Sequence, residues 1–272
     1  MIAGVSKQAL HQYNKRQLQS QADKLKFFEK ANAIRKEHPG AGCRKMALQL
    51  RCCHWGRDKI EDFLLESGYR LEFRRNYTKT TRRQQLYHFP NLIEGLELND
   101  INQVAQTDIT YYYVSGRFYY LTFIIDVYSR NITGFAVSKN LEAEGNIRAL
   151  QMMLKTRTGH QWTRFIHHSD KGSQYIEKRY LKLLRDNNIQ ISMCDLPWQN
   201  PYAERINKTI KEEYLYKWKI KNYVELKKAV ARAIRHYNNK RSHEKLNKIS
   251  PLTFERRIGT ILPEFRPQMK LF

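Results

Sequence analysis

The chain has 272 residues and a formal net charge of +23, from 49 lysines and arginines against 26 aspartates and glutamates. This charge and a pI near 9.9 indicate a polyanionic partner, which is typical of DNA-binding proteins and equally of ribosomal and other RNA-binding proteins. No apolar run reaches about 18 residues and the first residues are polar, which predicts a cytosolic protein without membrane span or signal peptide. At this length there is room for about two domains.

The N-terminal part of the chain predicts three short helices. Helical spacing of apolar residues marks 23–38, which stops at a Pro-Gly pair, and a second helix is predicted at about 43–53. The third spans 57–67 and ends at Gly68, in the position of a left-handed cap. It carries acidic residues, which disfavour contact with phosphates, so this helix is predicted to act as a scaffold.

The cysteines follow no C-x-x-C pattern. Together with His38 and His54 three of them suggest an N-terminal zinc module, but the spacing matches no accepted ligand pattern. Reduced structural cysteines are therefore predicted. The four cysteines are Cys43, Cys52, Cys53 and Cys194.

The strongest basic segment is 70–83, which holds six lysines and arginines, one glutamate and two interleaved aromatic residues. Basic residues between aromatic ones can neutralise phosphates and stack on bases, although such runs are also common in solvated linkers. The residues predicted to bind DNA here are Arg74, Arg75, Arg82 and Arg83.

The central part of the chain predicts a sheet. The stretches 104–114 and 118–126 are rich in Tyr, Ile, Thr and Phe and are separated by a Ser-Gly pair, which is typical of a hairpin, and a third strand follows at 132–137. A helix at 142–154 then leads to a strand at 165–168, which requires a crossover and favours parallel pairing.

Two acids of this region are predicted to lie on opposite faces of the sheet. If the hairpin turn has two residues, Asp126 pairs with Ala105, an odd number of positions from Asp108. Asp126 is therefore not expected to share a site with Asp108.

Two further acids stand at the ends of elements. Asp170 follows the fourth strand, and another short strand at 189–193 leads through the loop 196–201 into a helix that carries Glu204. Three antiparallel strands followed by helix, strand, helix, strand and helix predict an α/β mixed sheet.

The helix that carries Glu204 is predicted to have one polar and one apolar face. A carboxylate beside two lysines suits a metal ion with a phosphate chain next to it, whereas a Glu–Lys pair on a solvated helix is the ordinary alternative. The polar face is Glu204, Asn207, Lys208 and Lys211, and the apolar stripe is Ala203, Ile206, Ile210 and Tyr214.

The motifs T-D-I-T at 107–110, S-D-K-G-S-Q-Y at 169–175 and P-Y-A-E-R-I-N-K-T-I-K at 201–211 resemble those of the DDE transposases of bacterial insertion sequences. The resemblance covers residues 98 to about 255, and the N-terminal helices resemble the helix-turn-helix unit of these proteins. It implies an α/β fold, a ribonuclease H-like mixed five-stranded sheet with flanking helices as in retroviral integrases, preceded by a small all-α helix-turn-helix-like domain. In such a sheet the first and fourth strands are neighbours, which brings Asp108 to Asp170.

By this resemblance the three catalytic acids and metal ligands are Asp108, Asp170 and Glu204, with a spacing between the last two slightly shorter than is usual in the family. Carboxylates without softer ligands suit Mg²⁺ or Mn²⁺, and two such ions would activate a water or 3′-hydroxyl for metal-dependent DNA strand cleavage and strand transfer.

The family's helix face implies that Lys208 and Lys211 hold the DNA backbone and that Asn207 helps to orient it. Trp198 or Tyr202 is predicted to wedge against a base near the cut.

The expected regions are an N-terminal helical, helix-turn-helix-like region with a basic linker at 1–83, an integrase-like catalytic core at 98–218, and a C-terminal basic helix and tail at 219–272. The expected partners are insertion-sequence ends and target DNA, other copies of the chain in a homo-oligomer on DNA, and an upstream reading-frame product that supplies end recognition. No membrane partner is expected, and the expected location is the bacterial cytoplasm, associated with the nucleoid.

Two alternatives compete with this interpretation. A DNA-binding repressor without chemistry would explain the charge but leaves the three acids unexplained. A tyrosine recombinase would need arginines gathered from distant positions around its tyrosine, whereas the residues of that kind crowd into one helix end. They are Arg235, His236, Tyr237, Arg241 and His243.

Overall fold

A computed structural model of the chain describes residues 7–50, 55–71, 89–159 and 162–271. The chain divides into two compact units, the first ending at Arg75. Several predicted residues lie outside the described ones, so their predictions are not carried into the structure. These are Cys52, Cys53 and His54 of the zinc alternative and Arg74, Arg75, Arg82 and Arg83 of the basic segment.

The first unit is helical. Helix α1 (Lys7–Glu37) begins well before the predicted residue 23. Residues 7–22 lack the apolar periodicity of 23–38, so the pattern did not predict a helix there. They contain no glycine or proline that would stop one. Helix α2 (Cys43–Gln49) is shorter than predicted and α3 (Arg57–Glu66) is as predicted, with Gly68 at a φ of 81°. The three helices share one apolar core of Phe27, Ala31, Met46, Leu50, Ile60 and Leu64.

Cys43 belongs to this core as a free thiol, and its Sγ donates to the carbonyl oxygen of Tyr69 at 3.4 Å. Cys194, in the second unit, is also free and buried. Both described cysteines are therefore reduced and packed, as predicted.

The second unit contains a five-stranded mixed sheet in the order β4-β3-β2-β5-β6 and a two-stranded pair of β1 with β7. Strand β3 is antiparallel to both of its neighbours, β2 and β4, and β5 and β6 run parallel to β2. This order is that of a ribonuclease H-like fold, as predicted. The strands are β1 (Glu97–Leu98), β2 (Val104–Val114), β3 (Arg117–Asp126), β4 (Ile132–Ser138), β5 (Ile166–Ser169), β6 (Gln190–Met193) and β7 (Met269–Lys270).

The hairpin of β2 and β3 has the predicted two-residue turn. Ser115 and Gly116 have φ values of 49° and 79°, a pair that matches the right-handed twist of the strands. The register that follows places Ala105 opposite Asp126. Asp108 and Asp126 consequently belong to opposite faces of the sheet, as predicted.

Helices cover both faces of this sheet. On the face to which Asp108 belongs, α6 and α7 pack on Tyr112, Leu121 and Phe123. On the other face α4 and α5 pack on Ala105 and Ile124. The helices are α4 (Ala143–Thr156), α5 (Lys178–Asp186), α6 (Pro201–Glu213), α7 (Tyr223–Asn239) and α8 (Pro251–Ile258).

The close packing of α4 on the sheet needs a glycine on β4. A Cβ atom at Gly134 would collide with the main-chain carbonyl of Ala149.

Near the other end of the chain, α7 contributes Leu226 and Val230 to the core under α6, so part of the predicted C-terminal region 219–272 packs directly on the sheet. None of the helices in the described ranges is long and apolar enough to cross a membrane.

Candidate active site

Asp108 lies on β2, and Asp170 directly follows β5, the parallel strand beside β2. The last paired residues of β2 and β5 are Gln106 and His168. Continued two residues past this last pair, the register brings Asp108 and Asp170 to the same level of the sheet, which agrees with the charge of Asp170 raising the pKa of Asp108. Asp108 lies within a long strand, whereas Asp170 begins a turn in which its Oδ1 accepts the N–H of Gly172 at 3.0 Å.

Helix α6 brings Glu204 to this pair in its first turn. Two side-chain amides attach the start of the helix to β2. Oε1 of Gln106 accepts the N–H of Tyr202 at 2.9 Å, and Nδ2 of Asn200 donates to the carbonyl oxygen of Thr107 at 2.9 Å. Because both attachment points are within two residues of the aspartate on β2, the first turn of α6 has a fixed position beside it.

The polar face of α6 reaches back to β2. Asn207 is only 5% exposed, and its Nδ2 donates to Oδ2 of Asp108 at 2.8 Å. Lys211 donates from Nζ to Oγ1 of Thr110 at 2.7 Å, and the same Nζ lies 5.6 Å from the ring centroid of Tyr111. Burial lowers the pKa of Lys211, and the charge of Asp108 partly offsets that effect. Both side chains thus contact the first strand of the site.

The carboxyl groups of the site repel one another. Burial, followed by the charges of Asp170 and Glu204, raises the pKa of Asp108 to about 7, while hydrogen bonds from Ile109 and Asn207 oppose the shift. Burial also raises the pKa of Asp170 and that of Glu204. Among the described residues no lysine, arginine or histidine forms a salt bridge with any of the three. The three acids therefore have no ion-pair partner in this part of the chain, and Lys211 acts on Asp108 only from a longer distance.

The donor set of this cluster fits a hard divalent cation, because carboxylate oxygens are the ligands that Mg²⁺ and Mn²⁺ prefer. A cation would also relieve the repulsion that raises the pKa of Asp108. Across the described ranges, no three His, Cys, Asp or Glu side chains are close enough together to hold an ion as they stand. Asp108 and Asp170 are at the same level of the sheet, and the charge of Glu204 is near enough to raise the pKa of Asp108.

Asp126 belongs to a different, compensated cluster. Its Oδ1 is 2.8 Å from Oγ of Ser129, which is also 2.7 Å from Oε1 of Glu255, and Arg157 forms a two-armed ion pair with Glu255. A single hydroxyl proton cannot be donated to both acids, so the second contact is a hydrogen bond only when that carboxyl is protonated. Burial, and secondarily the charge of Glu255, raises the pKa of Asp126, which favours this arrangement.

The residues predicted to contact DNA differ in accessibility. Lys208 is exposed on α6, and Trp198 is 56% exposed in the loop before it. Tyr202 is partly buried, and the guanidinium of Arg130 lies 4.0 Å from its ring centroid, so this ring already has a stacking partner. Trp198 is therefore the exposed aromatic residue of the predicted wedge pair.

The residues that suggested a tyrosine recombinase are engaged in packing. Tyr237 is buried in the core beneath α7, and Arg241 forms two hydrogen bonds of 2.7 Å with the carboxylate of Glu213. Nδ1 of His236 is 3.0 Å from the hydroxyl of Tyr214. This group stabilises the junction of α6 and α7 and leaves no accessible tyrosine nucleophile there.

Sequence reasoning missed Gln106 and Asn200, the two amides that attach α6 to β2. A signal for Gln106 existed, since it is a polar residue two positions before Asp108 on a face of β2 that is otherwise buried. Asn200 directly precedes the helix and has the residue type of a helix cap, although its side chain bonds β2 instead.

Comparisons with known proteins agree with this geometry. An integrase core domain family matches residues 99–196, and a second integrase core domain family matches residues 187–251. The chain is 30% identical to the 31 kDa protein of insertion element IS600 from Shigella sonnei, over 73% of this chain and 74% of that protein. It is 32% identical to the transposase of IS904 from Lactococcus lactis, over 61% of this chain and 67% of that protein.

The match to another relative covers only part of that relative's length. The transposase of IS629 from Shigella sonnei is 32% identical over 57% of this chain, and the match spans only 52% of that protein. Among solved structures, the catalytic core of HTLV-2 integrase in complex with magnesium is 17% identical, with a TM-score of 0.46, over 57% of this chain and 97% of that chain.

The strand order and the match of residues 99–196 to an integrase core domain define a ribonuclease H-like core of the integrase type. With the matches to IS600 and IS904, the chain belongs to the family of insertion-sequence transposases with a retroviral integrase-like core.

Proposed function

We propose that this transposase is a DDE polynucleotidyl transferase, which cleaves DNA strands and joins the resulting ends to target DNA. Asp108, Asp170 and Glu204 are its catalytic carboxylates. The observation that carries the proposal is that Asp108 on β2 and Asp170 directly after the neighbouring β5 are close enough to act on each other, with the first turn of α6 attached beside them. Burying acids without a cationic side chain is costly, and a bound cation is the compensation that fits this donor set.

The proposed cofactor is Mg²⁺ or Mn²⁺, as two ions held by the three carboxylates. When bound, such ions activate the attacking hydroxyl and stabilise the leaving 3′-oxygen of an in-line displacement. The exposed side chain of Glu204 completes the ligand set by turning toward the two aspartates. In this mechanism no protein side chain acts as a covalent nucleophile, and the chain's own residues position the acids and the DNA.

In this proposal Asn207 positions a catalytic carboxylate as well as contacting DNA. Its amide holds Oδ2 of Asp108, which fixes the direction of the other carboxylate oxygen. Lys208 is exposed on the same helix and binds a phosphate of the substrate, and Lys211 adds positive charge at the edge of β2. Trp198, exposed before α6, contacts a base near the cut.

The proposed partners are the insertion-sequence ends and target DNA, bound by a homo-oligomer of this chain. The net charge of +23 supports a polyanionic partner. The basic residues Arg74, Arg75, Arg82 and Arg83 are proposed to add phosphate contacts. An upstream reading-frame product is proposed to supply recognition of the ends, and the bacterial nucleoid is the corresponding location.

The test uses the purified full chain with DNA that carries the ends of its insertion sequence, in Mg²⁺. Asp108→Asn, Asp170→Asn and Glu204→Gln are each expected to abolish cleavage and joining, because each removes a metal ligand. Their DNA affinity should stay within about twofold of wild type, because the basic surface is unchanged. Glu212→Gln, with the same change of charge on the same helix, is the matched control and should retain activity.

Three outcomes would contradict the proposal. Full activity of any one of the three variants would remove that residue from the catalytic set. A covalent protein–DNA adduct in an active reaction would indicate recombinase chemistry with a protein nucleophile. DNA binding without cleavage in either Mg²⁺ or Mn²⁺ would favour a repressor.

A further inference from the structure

Three buried polar side chains form a row across the sheet. Gln106 on β2, His168 on β5 and Ser192 on β6 are register partners on neighbouring strands. Each has an exposed fraction of 0%, and Nδ1 of His168 lies 2.8 Å from Oγ of Ser192. On β2 the row is two residues before Asp108, so it lies next to the proposed site on the same face of the sheet. We call these three residues the polar row.

The polar row contacts the loop that precedes α6. The carbonyl oxygen of Gln199 accepts a hydrogen bond from Nε2 of Gln106 at 3.3 Å. The side chain of Gln199 in turn accepts the main-chain N–H groups of Asp195 and Leu196, at 2.8 and 3.0 Å. Gln199 is only 5% exposed, although the preceding Trp198 is 56% exposed. Gln199 therefore both holds the loop in its conformation and attaches it to the sheet.

The partners of His168 determine which of its nitrogens carries the proton. Burial lowers the pKa of His168 to about 4, an effect that the main-chain carbonyl of Gln199 opposes, so the ring is neutral near pH 7. With the proton on Nδ1, a lone pair of Nε2 would face that carbonyl oxygen. Oγ of Ser192 already accepts the N–H of Leu92 at 2.9 Å and can donate its own proton to Nδ1. The proton therefore belongs on Nε2, toward the carbonyl of Gln199.

This Nε2–H group favours a close approach of the loop. Among the described residues Nε2 makes no hydrogen bond of ordinary distance and angle, and a buried donor in that condition is costly. The carbonyl oxygen of Gln199 has two lone pairs and can accept from both Gln106 and His168. Each approach of this carbonyl to β5 is therefore stabilised by His168.

The position of the loop is transmitted directly to Glu204. The N–H of Glu204 donates to the carbonyl oxygen of Asn200, the residue after Gln199, at 3.2 Å. In the same turn, the N–H of Tyr202 donates to the Gln106 side chain at 2.9 Å. A displacement of the Gln199 carbonyl consequently moves the first turn of α6, and with it the carboxylate that this turn carries.

We propose that His168 is a positioning residue for Glu204. Its Nε2 holds the carbonyl oxygen of Gln199, which fixes the loop and the first turn of α6 against β5. The carboxylate of Glu204 thereby stays within reach of the two aspartates. This last step rests on the proposed function, whereas the anchoring of the loop does not depend on it.

Two substitutions at one position separate the roles of the two nitrogens. In His168→Gln the amide reaches the place of Nε2 and still donates to Gln199, whereas the shorter amide of His168→Asn reaches only the place of Nδ1 and Ser192. Hydrogen exchange of the main-chain amides in 195–203 is followed by mass spectrometry in the full chain without metal. His168→Asn should speed this exchange roughly 2- to 12-fold, the effect of one lost hydrogen bond, and His168→Gln should exchange like wild type.

The second measurement is the Kd for Mn²⁺ of the full chain with DNA, followed by electron paramagnetic resonance. His168→Asn should weaken binding roughly 10-fold, as loss of a group that orients a ligand does, and His168→Gln should bind like wild type. Glu204→Gln keeps both aspartates and should bind the ion more weakly. In that background His168→Asn should have no further effect, because the carboxylate that it positions is absent.

Two further variants complete the design. His168→Met fills the space of the ring without a donor and should behave like His168→Asn, which keeps the test decisive if one of the two does not fold. His167→Asn removes the neighbouring buried imidazole, whose Nε2 lies 3.0 Å from the hydroxyl of Tyr180. It should lower the free energy of unfolding without changing the exchange of 195–203 or the Kd for Mn²⁺.

Unchanged exchange in folded His168→Asn or His168→Met would overturn the inference. An equal acceleration in His168→Gln would also overturn it, because the contact with Ser192 or the packing of the ring would then be responsible. So would a loss of Mn²⁺ affinity that persists in the Glu204→Gln background, since His168 would then act through the strand that leads to Asp170. If the wild type binds no Mn²⁺, the proposed function fails, while the exchange of 195–203 still decides whether His168 anchors the loop.

Discussion

Two clusters of buried acids, both with a member on the β2–β3 hairpin, differ in how their charge is balanced. Asp126 and Glu255 share the hydroxyl of Ser129, and Arg157 pairs with Glu255. The cluster of Asp108 has no such cation among the described residues. One hairpin thus holds a neutralised cluster on one face and an unneutralised cluster on the other.

The difference separates a structural role from a ligand-binding role. A buried acid that is hydrogen-bonded and paired stabilises the junction of the elements around it, here β3, α4 and α8. Acids that face each other without a cation destabilise the free protein and gain when a cation arrives. The sequence separated Asp126 from Asp108 by register, and the structure adds which partners balance the charge of each acid.

The largest expected effect comes from removing the cation of the neutralised cluster. Arg157→Ala leaves Glu255 and Asp126 buried without compensation, and the free energy of unfolding should fall by about 3–5 kcal/mol. Urea denaturation of the full chain measures this. Arg179→Ala, which breaks an exposed ion pair with Glu144, is the control and should cost less than about 1 kcal/mol. Equal losses in the two variants would mean that the buried pair has no special role.

Asp108→Asn should act in the opposite direction. The pKa of Asp108 is raised to about 7 in the folded chain, so the folded state holds a proton that the unfolded state has already released. This contribution to stability is present at acid pH and is lost as the pH rises through about 7. The variant should therefore be more stable than wild type at pH 8 in metal-free buffer, by roughly 1–3 kcal/mol, and depend less on pH.

Denaturation of both proteins at about pH 5.5 and pH 8 gives the comparison. A variant that is less stable than wild type at the higher pH would show that the site is not electrostatically strained.

Much of the catalytic face follows from the sequence. The alternation of β2 and the Ser-Gly turn predicted the register, and with it the separation of Asp108 from Asp126. The crossover helix predicted parallel pairing for β5, and the order of a ribonuclease H-like core predicted that β2 is its partner. These features depend on local patterns and on rules of chain connection, which one sequence contains.

Other features depend on contacts between distant residues, and no local pattern contains them. Helical spacing assigned Asn207 to the polar face of α6, but its position at the border of that face turns the amide toward Asp108. The role of Gln106 depends on where the loop before α6 closes on β2. The balancing of Asp126 depends on Arg157 and Glu255, which are far from it in the sequence.

The smallest expected effect concerns the exposed side of α6. Lys208→Ala should reduce the slope of log K against log salt concentration for duplex DNA by about one, the value for one lost phosphate contact. Lys178→Ala on α5 is a matched removal of an exposed lysine and should leave the slope unchanged if that helix does not face DNA. Binding measured at several salt concentrations distinguishes the two. An unchanged slope for Lys208→Ala would place the DNA away from this face of α6.

The most direct test of the contrast between the clusters is Mn²⁺ binding, followed by electron paramagnetic resonance, to the full chain with DNA. Wild type and Asp126→Asn are expected to bind the ion, because the neutralised cluster does not need one. The variant with Asp108→Asn and Asp170→Asn is expected to lose binding while circular dichroism shows that it remains folded. Binding retained in that variant, or lost in folded Asp126→Asn, would contradict the assignment of the metal site to Asp108 and Asp170.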